Sequence, residues 1–125
     1  MKMANEFAHI ELMTHDLEGA KAFYSGLFDW KWEEYPMESG NYWMIDPGKD
    51  PKGGIMKAPQ PEIPPHWIIY TKVDDVAVTL EKAKELGGTI IVEKTEIPEM
   101  GAFGTFQDPT GGVMAVWEAG PEASE

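Results

Sequence analysis

An internal repeat constrains the fold of this chain more than any other feature of its sequence. The predicted elements follow the order strand, helix, strand, strand, strand, and the same order then recurs. Phe7–Thr14 and Trp67–Lys72 are the first strands of the two halves, because both combine apolar residues with strand-like alternation. Asp16 and Asp75 lie 59 residues apart at the two helix starts, and this offset runs without a gap from strand to helix end. The sequence therefore predicts two copies of one βαβββ module.

The chain has 125 residues, which is enough for one compact domain with a core. A proline-rich connector follows the first module, and a helix-ending glycine pair, Gly87-Gly88, supports the boundary of the second helix. The predicted boundaries are about 6–58 for module one, 58–65 for the linker, about 66–119 for module two and 120–125 for a flexible tail. The remaining predicted strands are Trp30–Tyr35, Tyr42–Ile45, Gly54–Met56, 89–94, 102–107 and 112–118.

The composition excludes several classes of function. The chain carries 22 acidic and 10 basic residues, all of the latter lysine, for a net charge of −12. Neutralising nucleic-acid phosphates depends on Lys and Arg, so we expect no nucleic-acid partner. The absence of cysteine removes disulfides, thiolate nucleophiles and cysteine-ligated metals. Without a signal peptide or an apolar run of about 18 residues, the sequence predicts a cytoplasmic protein with no membrane partner.

A resemblance to a known family rests on three segments, IELMTHDLEGAKAFYSGLFDWKWEE, PHWIIYTKVDDV and KAKELGGTIIVEKTEIPEMGAFGTFQDPTGGVMAVWE. They resemble the small glyoxalase/bleomycin-resistance-like proteins of the vicinal oxygen chelate superfamily, which also includes extradiol dioxygenases. The similarity covers roughly residues 6–119. It implies an α+β fold in which two βαβββ modules form a cup-shaped, eight-stranded curled sheet with the helices outside. It also implies a small-molecule ligand in the cup and a homodimer, with modules pairing within a chain or across the dimer.

Strand alternation then predicts which side chains face the cup. In the first strand Ile10 and Leu12 are apolar partners for the helix, which leaves the neighbouring polar residues for the concave face. The predicted cup residues from the first, fifth and last strands are His9, Glu11, Met13, His66, Ile68, Tyr70, Met114, Val116 and Glu118. An apolar pocket with a few convergent polar groups is the usual composition of a small-molecule site.

The resemblance also implies metal ligands on the first, fourth, fifth and eighth strands. His9 and Glu118 occupy the family's first-strand and last-strand positions, whereas the 59-residue offset pairs His9 with Ile68, which cannot ligate. His66 lies two residues earlier, and Gln60 is the weak fourth-strand match. An incomplete set of His9, His66 and Glu118 would suit a divalent ion such as Fe, Mn, Ni or Zn.

Two functions remain open from the sequence, and whether the chain is an enzyme stays open with them. In the first, a divalent metal supports lyase-type or dioxygenase-type chemistry, with Glu11 or Glu118 as the base. In the second, the cup binds an apolar or cationic aromatic ligand without metal. Each polar candidate also has a structural interpretation, since a strand histidine is more often a hydrogen-bonded polar residue than a ligand. Aromatic residues that either line the pocket or pack in the core are Trp30, Trp32, Tyr42, Trp43 and Phe103.

Overall fold

A computed structural model describes residues 5–37, 40–58, 61–97 and 100–120 of the chain. Gln60, residue 59 of the linker and residues 121–125 of the predicted tail lie outside this range. The two helices are α1 (Leu17–Leu27) and α2 (Val76–Glu85). The eight strands are β1 (Phe7–Thr14), β2 (Lys31–Met37), β3 (Gly40–Asp46), β4 (Lys52–Lys57), β5 (His66–Lys72), β6 (Thr89–Ile97), β7 (Gly101–Gln107) and β8 (Val113–Ala119).

The strands form an eight-stranded sheet in the order β2-β3-β4-β1-β5-β8-β7-β6. β1 pairs in parallel with β4, and β5 pairs in parallel with β8, while the neighbours within each half are antiparallel. The predicted α+β class with two βαβββ repeats is therefore confirmed. Within the described residues, neither helix is long and apolar enough to cross a membrane.

Two compact units make up the chain. The N-terminal unit is His9–Ile68, and the C-terminal unit contains residues 5–8 together with 69–120. Residues 5–8 belong with the C-terminal unit because the N–H of Lys72 donates to the carbonyl of Glu6 at 2.8 Å, and the side chain of Asn5 donates to the carbonyl of Lys72.

Both helices begin at the predicted aspartates. The carboxylate of Asp16 accepts a hydrogen bond from the N–H of Gly19 at 2.9 Å, and that of Asp75 accepts one from Val78 at 3.1 Å. Each carboxylate thereby satisfies one of the N–H groups that have no partner within the helix. The 59-residue offset between the helix starts is thus confirmed in the geometry.

In the N-terminal unit, one face of the strands packs beneath α1. Its buried centre consists of Leu12, Ile45 and Ile55, and Leu12 and Ile55 are directly paired across β1 and β4. The residues that pack against this centre are Leu17, Ala20, Tyr24, Trp30 and Trp32. The predicted orientation of Leu12 toward the helix is confirmed.

In the C-terminal unit, the equivalent core lies beneath α2. Val76 and Leu80 of the helix are buried against Val116 of β8, and Phe106 of β7 packs against the same cluster. Gly104 lies under α2 as well, where an added Cβ would meet the Leu80 side chain at 2.7 Å. The helix therefore approaches β7 closely at this glycine.

The two modules do not keep a constant offset. In β6 the pairing with β7 shifts by one residue between Ile90 and Val92, and by one more between Val92 and Thr95, whereas the β2–β3 register is regular. These bulges insert two residues into β6. Glu11 pairs with Gly54, and the residue 59 positions after Glu11, Tyr70, pairs with Ala115. The offset therefore grows from 59 to 61, because Ala115 follows Gly54 by 61 residues.

Candidate functional site

The candidate site of the N-terminal unit lies on the strand face turned away from α1. Alternation along β1 places His9, Glu11 and Met13 there, because Leu12 points to the helix. Glu11 is only 5% exposed, although it carries a carboxylate. In the register of β1 and β4, Glu11 lies opposite Gly54 and Met13 lies opposite Met56. A buried acidic side chain is thus set in a row next to half-buried methionines.

Tyr42 of β3 completes this polar group. Its hydroxyl is hydrogen bonded to Nε2 of His9 at 2.7 Å, and the two rings are stacked with their centroids 6.4 Å apart. The tyrosine ring lies over Gly54, where an added Cβ would overlap the phenol. The glycine therefore provides the space that brings the hydroxyl to His9. We call His9, Glu11 and Tyr42 the polar triad.

The ionisation of His9 follows from its surroundings. Burial lowers the pKa of His9 from its ordinary value of 6.5, because the charged imidazolium loses solvation. At neutral pH the ring is consequently neutral, with one nitrogen as a hydrogen-bond donor and the other as an acceptor. The imidazole and the phenol therefore form a neutral pair, and Glu11 is the acidic member of the triad.

The C-terminal unit presents a different set of side chains on the corresponding face. Tyr70 is buried and makes an edge-to-face contact with Phe103, with the ring centroids 6.3 Å apart. Phe103 is paired with Trp117 across β7 and β8, and Tyr70 is paired with Ala115. Three aromatic side chains thus occupy this face. The prediction that Tyr70 and Phe103 contribute to a binding surface remains a prediction, and their contact is consistent with it.

The predicted orientation of β8 is wrong. Val116 packs under α2 against Val76 and Leu80, so Met114 and Glu118, which share its parity, lie on the helix side as well. Met114 confirms this placement, because its sulfur accepts a hydrogen bond from the Thr71 hydroxyl at 3.3 Å. Met114, Val116 and Glu118 were predicted to lie on the same face as Tyr70, and instead they lie on the opposite one. Both faces of β8 are apolar, which left its parity undetermined by the sequence.

Glu118 has a structural partner on that side. Its Oε1 accepts a hydrogen bond of 2.8 Å from the N–H of Val76, the first residue of α2, and its Oε2 lies 3.7 Å from Nζ of Lys94. A carboxylate at this position complements the positive end of the helix dipole and satisfies an N–H that has no partner within the helix. Glu118 therefore anchors the start of α2 to β8.

The residues present do not fit the metal site that the family resemblance implies. On β4 the side chains facing away from α1 belong to Lys52, Gly54 and Met56, and on β8 the inner positions of the face away from α2 are Ala115 and Trp117. None of these five supplies a ligand. Across the described ranges, no group of three or more His, Cys, Asp or Glu side chains is placed to hold a metal ion.

The other predicted ligands have different surroundings. Nδ1 of His66 is 2.9 Å from the carbonyl oxygen of Pro64, two residues earlier in the linker. The fourth-strand match was also misplaced, because the 61-residue offset equates Glu118 with Lys57 rather than with Gln60. Gln60 itself is outside the described residues. His9 is the member of the predicted metal set that belongs to the polar triad.

Three of the aromatic candidates lie on the α1 side of the N-terminal unit. Trp30 and Trp32 pack against the core cluster beneath α1. Nζ of Lys21, a residue of α1, lies 4.3 Å from the ring centroid of Trp43 and 5.7 Å from that of Trp32. This cation–π contact was not anticipated from the sequence, although an exposed lysine three residues before Tyr24 offered a helical spacing toward the sheet. Tyr42 and Phe103 are the candidates that face away from the helices.

The α+β fold and the triad together define a small-molecule-binding class, and a comparison with known families specifies it. The sequence model described as the Glyoxalase/Bleomycin resistance protein/Dioxygenase superfamily matches residues 6–116. The chain belongs to this superfamily.

Several known proteins are similar to the chain. "Putative glyoxylase CFP32" of Mycobacterium tuberculosis is 34% identical over 113 residues, which cover 90% of this chain and 43% of that protein. "Anthracycline biosynthesis protein DnrV" of Streptomyces peucetius is 22% identical over 137 residues, with coverage of 90% and 46%. The chain thus spans less than half the length of these curated relatives.

Solved structures share the fold. Hypothetical protein BH1468 from Bacillus halodurans C-125 has a TM-score of 0.73 at 16% identity, covering 98% of this chain and 100% of that one. Methylmalonyl-CoA epimerase from Mycobacterium tuberculosis has a TM-score of 0.70 at 13% identity, with coverage of 98% and 95%. At these identities the likeness concerns the fold and not the activity.

Proposed function

We propose that this chain binds a small, largely apolar organic molecule through its own side chains, without a metal, at the polar triad of the N-terminal unit. The observation that carries the proposal is the buried Glu11 beside the His9–Tyr42 hydrogen bond, on a face whose other members are half-buried methionines. A few positioned polar groups within an apolar surface are typical of small-molecule sites.

The charges and side chains of the site favour a neutral or cationic aromatic ligand. Glu11 disfavours an anion in its vicinity, and the net charge of −12 repels anions at long range. The neutral His9 imidazole and the Tyr42 hydroxyl provide hydrogen bonds to a polar substituent. Met13, Met44 and Met56 are half-buried, and methionine adapts its shape to flat or irregular ligands.

The metal-assisted lyase or dioxygenase is the other function that the sequence left open. No observation in the described residues favours it, because Glu118 is engaged with the start of α2 and β4 and β8 provide no ligands at the positions in question. We therefore derive no catalytic step that depends on a metal. Glu11 is retained as the acidic group of a binding site.

Ligand binding is tested by thermal shift and fluorescence titration with three aromatic probes of different charge: cationic ethidium, neutral phenazine and anionic anilinonaphthalene sulfonate. We expect the cationic and neutral probes to raise the melting temperature, and the anionic probe to have little effect. Glu11→Gln should weaken ethidium binding about tenfold, because the charge partner is lost. The matched control is Glu18→Gln, which removes the same charge from an exposed position in α1 and should leave the affinity unchanged. An equal effect of both substitutions, or no shift with any probe, would refute the proposed site.

The metal question is tested separately by elemental analysis of protein purified without chelator. We expect less than stoichiometric divalent metal, and the same content in His9→Ala. A content near one metal per chain that disappears in His9→Ala would contradict the metal-free proposal.

A further inference from the structure

A contiguous apolar patch lies on the outer side of the N-terminal unit. Phe23 is 63% exposed, Leu27 56%, Phe28 45% and Trp67 40%. Tyr24 connects them, since its ring contacts those of Phe23, Phe28 and Trp67 with centroids 5.0, 6.4 and 5.6 Å apart. Trp30 extends the cluster through Phe28 at 4.9 Å. We call this set the α1 patch.

The exposed side of α1 lacks the charges that a solvated helix normally carries. Beyond Phe23 and Leu27, the exposed residues of this helix are Glu18, Gly19, Ala22, Ser25 and Gly26, of which one is charged. The corresponding helix of the second module, α2, follows the usual pattern. Its exposed residues are Ala77, Val78, Glu81, Lys82, Lys84 and Glu85, and four of the six are charged. The contrast between two repeats of one module indicates that α1 does not face solvent alone.

We infer that the α1 patch is the surface on which a second copy of this chain docks, α1 against α1. A two-fold interface must be self-complementary, and alternating large and small residues meet this condition: Phe23 and Leu27 fit the space beside Gly19 and Gly26 of the other copy. An added Cβ at Gly26 meets nothing within 4 Å, so this space is open. Two copies that each carry a charge of −12 repel one another, and an almost uncharged patch is where they can approach.

The size of the patch agrees with this occupant. If large apolar side chains offer roughly 150–250 Å² each, the four exposed fractions correspond to about 400 Å², and the small residues of α1 raise this to about 500 Å² per copy. A pair would therefore bury about 1,000 Å², the lower limit for a specific protein–protein interface. The dimer should consequently dissociate on dilution.

The first test is the molar mass measured by light scattering over a range of protein concentrations. We expect the wild-type chain to approach twice 13.9 kDa, and Leu27→Glu to remain at 13.9 kDa. The matched control is Leu86→Glu, which changes the residue 59 positions later that is 70% exposed, and it should dimerise like the wild type. Raising the salt concentration should strengthen the dimer, because it screens the mutual repulsion. A monomeric wild type at high concentration and high salt would overturn the inference, as would a Leu86→Glu variant that dissociates like Leu27→Glu.

The second test does not depend on disrupting the patch. Because the chain has no cysteine, Gly26→Cys and Glu85→Cys each introduce a single thiol, at positions 59 residues apart in the two repeats. Treatment with a short bis-maleimide should convert most of Gly26→Cys to a covalent dimer and leave Glu85→Cys largely monomeric. Equal cross-linking of the two variants, or preferential cross-linking of Glu85→Cys, would exclude the α1 patch as the interface.

Discussion

Gly54→Ala isolates the geometry that brings Tyr42 to His9. A Cβ added at Gly54 would overlap the Tyr42 hydroxyl and would lie 2.8 Å from Cε2 of its ring, which is closer than real Cβ atoms approach. The backbone of Gly54 is held in register between β1 and β3, so the tyrosine ring must move. Its hydroxyl then leaves Nε2 of His9, from which it is now separated by 2.7 Å.

The magnitude follows from two contributions. Inserting a methyl group into a packed site costs typically about 1–3 kcal/mol. The lost hydrogen bond adds about 1 kcal/mol. The sum is about 2–4 kcal/mol of unfolding free energy. For 125 residues, an unfolding entropy of about 2 cal/mol/K per residue converts this to a fall in melting temperature of about 8–16 °C.

The assay is urea unfolding of the variant, combined with a proton NMR titration of the three histidines. Displacing Tyr42 admits water to His9, so the pKa of His9 should rise toward its ordinary value of 6.5. Two controls separate the contributions: Gly26→Ala adds a methyl group in open space on α1, and Tyr42→Phe removes the hydroxyl alone, at a cost of about 1 kcal/mol. The reasoning is refuted if Gly54→Ala loses less stability than Tyr42→Phe and leaves the His9 titration unchanged.

Three further predictions concern stability. Because burial lowers the pKa of His9, its contribution to stability is present above pH 6.5 and is lost as the pH falls through the folded-state value; urea unfolding should show this acid-side decline, with a slope of at most about 1.4 kcal/mol per pH unit, and His9→Gln should reduce it whereas His15→Gln should not. Glu118→Gln weakens the charged hydrogen bond to α2 and should cost about 1–2 kcal/mol in the same assay, while the exposed Glu96→Gln should change stability by less than about 0.5 kcal/mol. Leu12→Ala removes a buried side chain beneath α1 and should cost about 2–5 kcal/mol; a loss below about 1 kcal/mol by urea titration would contradict the assigned core.

The repeat and the orientation of the first strand were predictable because each had one consistent solution. The helix starts at Asp16 and Asp75 are fixed by capping chemistry that is local to the sequence. In β1, the polar residues His9 and Glu11 alternate with Ile10 and Leu12, so that only one parity buries the apolar pair. The α+β fold and the position of His9 and Glu11 follow from these two signals.

The errors at β8 arose from long-range register. Matching Gly54 with Gly112 gives an offset of 58, whereas the actual offset is 61 because β6 accommodates two additional residues in bulges. An odd difference between offsets reverses the parity of the strand, so Glu118 was assigned to the wrong face. The bulges depend on the pairing of β6 with β7, and no local residue pattern marks them.

The corrected offset also explains why the two units differ chemically. It equates Tyr42 with Phe103 and Gly54 with Ala115, so each unit combines an aromatic residue on its third strand with a small residue on its last. Only Tyr42 carries a hydroxyl, and only its unit supplies a polar partner, because the equivalents of Glu11 and His9 are Tyr70 and the buried Ile68. The repeat has therefore specialised: polar recognition is confined to the N-terminal unit, whereas Tyr70 and Phe103 provide aromatic contact in the C-terminal unit. A ligand held by direct side-chain contacts requires this kind of asymmetry, while a metal held symmetrically by two repeats would require the same ligand type at both positions.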